Sequence, residues 1–174
     1  RGPDRVSDEA AGRRLLQSEK DRREHGLVVE YIADLLAPLC ADLAIDGPAL
    51  RSTATMWHLG TEITGTLKDR DGPSAAGLAA LLHPTPAVGG VPRAPALQAI
   101  RALEGDRRGF YGGALGWVDA AGDGAWHVTL RCAEISGCDV LLHAGAGIVA
   151  GSTPAAELAE TEAKFGAMLR ALAL

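Results

Sequence analysis

The chain has 174 residues and a mass of 18.0 kDa, the size of one domain or of a compact part of a larger one. Its residues are 47% hydrophobic and 22% charged, a balance that fits a globular protein and excludes general disorder. The net charge of −5 argues against a nucleic-acid or anionic-membrane partner, because phosphate binding needs a clustered positive field. No apolar run approaches the ~20 residues that cross a bilayer, and no signal-peptide pattern is present, so we expect a cytoplasmic protein.

Two further features are the first residue of the chain and its cysteines. The first residue is Arg1 rather than Met, from which we expect a piece of a longer product. The three cysteines, Cys40, Cys132 and Cys138, are an odd number at spacings that match no zinc or redox motif. We expect each of them to be a small core hydrophobe.

The first half of the chain predicts a loop, one long helix and strand structure. Residues 1–14 are charged and contain Gly and Pro, which is typical of a loop. A helix from about residue 15 to residue 39 is predicted by an apolar stripe of period 3.6, formed by Leu27, Val28, Tyr31, Ile32, Leu35, Leu36 and Leu39. Asp46-Gly47-Pro48 predicts a turn, and residues 52–67 predict one strand or a bent pair.

The second half predicts helices, then strands, then a last helix. Helices over residues 74–82 and 94–104 flank a rigid Pro- and Gly-containing loop, and residues 119–124 are typical of a hairpin turn. A further strand is predicted over residues 139–149. The last helix begins at Ser152-Thr153-Pro154, because a hydroxyl cap followed by Pro is a helix start. This order indicates an α+β fold, an antiparallel sheet packed with helices.

Acidic side chains lie beside the apolar stripes of the first and the last helix. Glu24 precedes Leu27 and Val28 by three and four residues and so shares their face, with Asp21 one turn earlier. A carboxylate there is a partner of Arg22 or Arg23, a complement of the helix dipole, or a metal ligand.

The last helix has the same pattern, with Glu157, Glu160 and Lys164 on one face and Leu158, Phe165, Met168 and Leu172 on the adjoining stripe. Acids in a first turn also complement the dipole. Two helices that each offer two carboxylates could instead bind a hard cation such as magnesium, which prefers oxygen ligands.

Three other features could contact a ligand. Gly145-Ala146-Gly147 with Ala150 has the G-x-G-x-x-A spacing, but the helix starts too late for a dinucleotide site, leaving an anion-binding turn or a plain turn. Arg131, predicted to lie in a strand, either faces solvent or binds a carboxylate. His58 is expected at mid-strand and half-buried, as a hydrogen-bonded core residue or a catalytic one.

Five segments in series resemble the chorismate-utilising enzymes, and most closely the siderophore-type isochorismate synthases. They cover nearly the whole chain in the family's order: SEKDRREH (18–25), MWHLGTEITG (56–65), LLHPTPAVGGVPR (81–93), FYGGALGWVDAAGDGAWHVTLRCA (110–133) and AGAGIVAGSTPAAELAETEAKF (144–165). The resemblance implies that this chain is the C-terminal portion of a chorismate-binding catalytic domain over residues 1–174, with chorismate as substrate and Mg²⁺ as cofactor.

The resemblance also implies roles for single residues. Glu24 and Glu160 would bind magnesium directly, and Asp21 and Glu157 would support it through water. The enolpyruvyl carboxylate of chorismate would be held by Tyr111, Arg131, Gly145 and Gly147. Lys164 would meet the ring carboxylate. His58 would line the ring, in a catalytic site that also contains Ala87.

The product is implied by fewer residues. Ala87 matches the small residue of isochorismate synthases, where salicylate and anthranilate synthases tend to have Thr, and His83 indicates the same branch. Ala125 departs from the Glu common at this turn tip, without an expected effect on the chemistry. The expected reaction is therefore the isomerisation of chorismate to isochorismate, with a salicylate synthase or a non-catalytic chorismate-binding half as alternatives.

The family's acid–base pair has no counterpart in this sequence. Its general-base Lys and general-acid Glu lie upstream of a loop that ends in Arg-Gly, the two residues at which this chain begins. We therefore expect the N-terminal half of the same enzyme as a partner, and expect the 174-residue chain alone to be inactive.

Overall fold

The computed structural model describes residue 2 and residues 4–53, 56–69 and 71–173. The chain divides into two compact units, Arg1–Gly72 and Pro73–Leu174. The strands of the described residues form three two-stranded antiparallel sheets accompanied by helices, which confirms the α+β prediction. Among the described helices, none is long and apolar enough to cross a membrane.

The first unit consists of two helices and a long β-hairpin. Helix α1 spans Arg5–Gln17 and α2 spans Glu19–Leu36. Strand β1 (Cys40–Ser52) pairs with β2 (Trp57–Leu67) in antiparallel register, from the Cys40–Leu67 pair to the Ser52–Trp57 pair.

The prediction of a loop over residues 1–14 is wrong, because a capping box at Asp4 starts helix α1 there. The Asp4 carboxylate accepts from the Ser7 amide at 2.9 Å, and the Asp4 amide donates to Ser7 Oγ at 3.3 Å. The single helix predicted over residues 15–39 is also wrong. Ser18, in an extended conformation, ends α1 and caps α2 by accepting from the Asp21 amide at 3.3 Å.

The turn predicted at Asp46-Gly47-Pro48 is a bulge inside β1. The register shifts between Asp46 and Ala49, and Gly47 has a φ of 142°, a conformation that glycine adopts readily. The residues typical of a turn therefore bend one strand of the hairpin. The strand prediction over residues 52–67 is confirmed for β2, and β1 was missed.

Close packing attaches both helices of the first unit to its hairpin. The ring of Trp57 lies against Gly12 of α1, where an added Cβ would meet the ring at 3.3 Å. The same indole donates to the Asp8 carbonyl and carboxylate at 3.1 Å each. On α2, His25 Nε2 lies 2.8 Å from Thr61 Oγ1 of β2. The His25 contact places this part of α2 against β2.

The second unit begins with three helices. They are α3 (Ala75–Leu82), the single turn α4 (Pro86–Gly89) and α5 (Arg93–Glu104). Two ribbons follow, β3 (Ala114–Val118) with β4 (Gly124–Val128), and β5 (Ala133–Ser136) with β6 (Asp139–Leu142); α6 (Pro154–Ala171) comes last. The helices predicted over 74–82 and 94–104 are confirmed, whereas the rigid loop contains the short helix α4.

Local hydrogen bonds explain the predictions that hold in the second unit. The Asp119 carboxylate accepts from the amides of Ala121 and Asp123 at 2.9 and 3.1 Å, which closes the predicted hairpin turn. Thr153 caps α6 by accepting from the Ala156 amide at 3.4 Å, and Pro154 follows it as predicted.

Three predictions for this unit are wrong. The strand expected over residues 139–149 ends at Leu142, and an irregular segment leads on to α6. Arg131 is not in a strand; it follows β4 in a loop, with a φ of 53°. Cys138 is exposed in the tight turn between β5 and β6, whereas Cys40 is buried and Cys132 half-buried.

Candidate functional site

In the first unit, the two predicted carboxylates lie on the first turns of α2. Asp21 is positioned by the Ser18 cap. Glu24 pairs with Lys20 at 3.6 Å. Its side chain is 31% exposed, and its Oε1 atom is shielded from solvent.

Two histidines of the first unit lie near the same elements. His58 is half-buried as predicted, but it is the second residue of β2 rather than a mid-strand residue, and it pairs with Arg51 of β1. His25, which the sequence analysis did not select, follows Glu24 directly and contacts Thr61. Burial lowers the pKa of His25, so its ring favours the neutral form.

In the second unit, three predicted substrate-binding residues lie together. Lys164 of α6 donates to the Gly145 carbonyl at 2.7 Å and pairs with Glu160 at 2.6 Å. A Cβ added at Gly145 would lie 2.9 Å from the Tyr111 hydroxyl, so the absence of a side chain at Gly145 permits this approach. Tyr111, Gly145, Lys164 and Glu160 therefore form one continuous cluster, which we call the carboxylate cluster.

The turn that carries Tyr111 is tied to the loop that carries Arg131. The amide of Gly112 donates to the Thr129 carbonyl, and the Thr129 amide donates to the Gly113 carbonyl, each at 2.9 Å. Burial raises the pKa of Tyr111, while the charges of Arg108 and Arg131 lower it. The phenol therefore stays protonated at neutral pH and is able to donate a hydrogen bond.

Three residues around Tyr111 were missed in the sequence analysis. The ring of His143 stacks on Tyr111, with centroids 5.5 Å apart and an interplanar angle of 13°. Arg108 lies 5.9 Å from the centroid of the same ring and is held by Glu104 through hydrogen bonds of 2.6 and 2.8 Å. The spacing of four between Glu104 and Arg108 is the one signal that could have indicated this pair.

Glu157 reverses the expected pattern of α6. It is 6% exposed, whereas Leu158 of the predicted apolar stripe is 61% exposed. The helix therefore buries a carboxylate and exposes a leucine, and Glu157 Oε2 is shielded from solvent. Such burial is costly unless the carboxylate has a compensating partner.

The remaining predicted residues lie outside the carboxylate cluster as the structure records it. Ala87 is exposed in α4, directly before Val88, whose carbonyl accepts from Arg108 at 2.9 Å. Gly147 is exposed in the irregular segment two residues after Gly145.

The four predicted metal ligands are all carboxylates. They supply carboxylate oxygens only, which magnesium prefers, and two of these oxygens are shielded from solvent. The donor chemistry therefore fits the ion. Within the described ranges, no three His, Cys, Asp or Glu side chains gather at one metal position.

The carboxylate cluster has the chemistry of an anion site. A protonated phenol and an ammonium group lie together beside the Gly145 backbone. Such donors recognise carboxylates by charge-assisted hydrogen bonds. The acidic end of the cluster, Glu160, lies 2.6 Å from the Lys164 ammonium group.

Comparison with known proteins places the chain in a family. A family model described as chorismate binding enzyme matches residues 1–173. Isochorismate synthase DhbC of Bacillus subtilis (strain 168) is 49% identical over 173 residues, which are 99% of this chain and 43% of that protein. Isochorismate synthase EntC of Escherichia coli (strain K12) is 45% identical over 175 residues, which cover 100% of this chain and 44% of that protein.

A solved structure agrees with this assignment. The crystal structure of a DhbC protein from Bacillus anthracis has a TM-score of 0.95 and 48% identity to this chain. The match covers 100% of this chain and 46% of that one, so the chain spans less than half the length of these relatives. Sequence and fold lead to one conclusion: the chain belongs to the chorismate-binding enzyme family, among relatives that are isochorismate synthases.

Proposed function

We propose that the full-length protein to which this chain belongs converts chorismate to isochorismate. In this reaction the oxygen of water forms a bond to C2 of the ring, and the bond between C4 and its hydroxyl breaks. The water gives up a proton and the leaving hydroxyl gains one, so the net change is an isomerisation. The chain is then the C-terminal portion of the catalytic domain.

The observation that carries this proposal is the carboxylate cluster. Chorismate is a dicarboxylate, and the cluster offers the Tyr111 hydroxyl and the Lys164 ammonium group, each next to the Gly145 backbone. Lys164 uses two N–H groups on Gly145 and Glu160, and an ammonium group has three. Its third N–H is suited to a substrate carboxylate.

Within this proposal, each end of chorismate has its own partners. Tyr111, Arg131, Gly145 and Gly147 hold the enolpyruvyl carboxylate, and Lys164 meets the ring carboxylate. Holding both ends fixes the ring relative to the attacking water, which supplies catalysis through orientation. His58 lines the ring, and the small side chain of Ala87 leaves room for the water.

Magnesium is the cofactor in this proposal. As the family resemblance implies, Glu24 and Glu160 would hold it directly, and Asp21 and Glu157 would support it through water, since magnesium usually retains several waters. When bound, the ion neutralises and orients the ring carboxylate. The support for the assignment is the donor chemistry, because all four residues supply carboxylate oxygens, which magnesium prefers.

The proposal assigns the general base and the general acid to the part of the enzyme outside this chain. The apolar surface of the second unit supports such a partner segment, since Leu115 and Trp117 of β3 are 69% and 60% exposed. Few apolar side chains in the described part of the chain are well buried; Cys40, at 9% exposure, is one of them. Exposed apolar faces of this kind commonly mark a surface that another segment covers.

The test is product analysis of the full-length protein with chorismate and magnesium. We expect isochorismate as the product, and its loss when a chelator removes the metal. Salicylate with pyruvate as the main product would assign the protein to the salicylate branch. Tight chorismate binding without turnover would make it a non-catalytic binding protein.

A further inference from the structure

Arg108 connects three segments of the second unit. Its guanidinium group forms two hydrogen bonds with the Glu104 carboxylate, at 2.6 and 2.8 Å, at the end of α5. A third N–H donates to the Val88 carbonyl of α4 at 2.9 Å. The guanidinium carbon lies 5.9 Å from the centre of the Tyr111 ring.

These contacts use the planar shape of the guanidinium group. Two parallel N–H groups match the two carboxylate oxygens of Glu104, while another N–H points to the Val88 carbonyl. The side chain is 29% exposed, so these bonds are only partly screened by water. A lysine ammonium group has one nitrogen and cannot reproduce the fork.

Both ends of this network lie at residues that the proposed reaction needs. Val88 directly follows Ala87, the residue next to the attacking water in the proposed function. Tyr111 contacts Gly145, whose carbonyl accepts from Lys164. Arg108 therefore links the Ala87–Val88 segment to the carboxylate cluster by side-chain contacts at both ends.

We propose that Arg108 is a positioning residue that fixes the Ala87–Val88 segment relative to Tyr111, and so couples substrate affinity to the choice of product. This inference rests on the proposed function. Arg108 does not touch chorismate in this account; it acts through Tyr111 and through the Val88 carbonyl. A displacement of a substrate-binding group by about 1 Å can lower the rate of reaction about 100-fold.

The test compares the full-length wild-type enzyme with Arg108→Lys and Glu104→Gln. The first variant keeps the charge but loses the fork, and the second keeps Arg108 but removes its anionic partner. Arg107→Lys is the matched control, because Arg107 is the exposed neighbour of Arg108. For each protein, kcat, KM for chorismate and the ratio of pyruvate to isochorismate are measured with magnesium present.

We expect Arg108→Lys to raise KM about ten-fold or more and to raise the pyruvate fraction, with Glu104→Gln changing both in the same direction. A purely structural role would lower the active fraction, and hence kcat, without moving KM or the product ratio. Wild-type KM and product ratio in both variants would overturn the inference, and a raised KM with an unchanged product ratio would overturn the coupling. A wild-type enzyme that forms no isochorismate would instead overturn the proposed function, and the inference with it.

Discussion

Replacement of Gly145 by Ala tests the carboxylate cluster by adding one methyl group. The new Cβ would lie 2.9 Å from the Tyr111 hydroxyl, whereas ordinary van der Waals contact begins at 3.4 Å. The hydroxyl must therefore retreat by about 0.5 Å, and Tyr111 is already held by its stack on His143. We expect the substrate hydrogen bond of the phenol to be lost.

The magnitude follows from the bond that is lost. A hydrogen bond to a charged group contributes about 1.5–3 kcal/mol, and ~1.4 kcal/mol corresponds to ten-fold in affinity. Gly145→Ala should therefore raise KM for chorismate about 10- to 100-fold in the full-length enzyme. Steady-state kinetics with magnesium measures it.

A double-mutant cycle separates this steric effect from others. Tyr111→Phe removes the hydroxyl that the methyl group meets, so the double variant should have a KM close to that of Tyr111→Phe alone. Gly26→Ala is the control, because a Cβ at Gly26 has no atom within 4 Å. An unchanged KM in Gly145→Ala, or strictly additive effects in the double variant, would refute the contact.

Three other predictions address the metal, the pH dependence and the isolated chain. Glu24→Gln and Glu160→Gln should each weaken magnesium-dependent chorismate binding without unfolding the full-length protein; calorimetric titration with wild-type affinity in both would remove the metal assignment. Arg108 lowers the pKa of Glu104, so this pair stabilises the fold above about pH 4.5 and ceases to do so as pH falls through the lowered pKa. Urea unfolding between about pH 3 and pH 6 should therefore show a shallower acid-side loss in Glu104→Gln, and identical profiles would contradict it. Residues 1–174 alone should form almost no isochorismate, because each absent acid or base is worth about 10²–10⁴-fold in rate; near-full activity would place both groups within this chain.

The elements that the sequence predicted are those with local signals. Thr153 and Pro154 start α6, and Asp119 closes the hairpin between β3 and β4, because each acts on backbone groups a few residues away. The break at Ser18 was not predicted, since the apolar stripe predicts one continuous helix and gives no sign that the Ser18 side chain caps a new helix. Asp46-Gly47-Pro48 has the composition of a turn, and only pairing with β2 makes it a bulge.

The candidate site likewise contains contacts that follow from local sequence spacing and contacts that do not. Glu160 and Lys164 are four residues apart on one helix, so their ion pair follows from helical spacing. The contact of Tyr111 with Gly145 and the stack on His143 join segments more than 30 residues apart, which no local pattern encodes. The spacing of Glu104 and Arg108 could have indicated their ion pair, whereas the bond from Arg108 to the Val88 carbonyl has no sequence signal, because any residue supplies a backbone carbonyl.

The most direct test of the central claim is the fate of the oxygen atoms. Full-length protein is supplied with chorismate and magnesium in water labelled with oxygen-18, and the products are separated and their masses determined by mass spectrometry. We expect isochorismate that carries the label in its C2 hydroxyl, because water attacks at C2 while the C4 hydroxyl leaves. Unlabelled isochorismate would contradict this mechanism, and salicylate with pyruvate as the main product would contradict the proposed function itself.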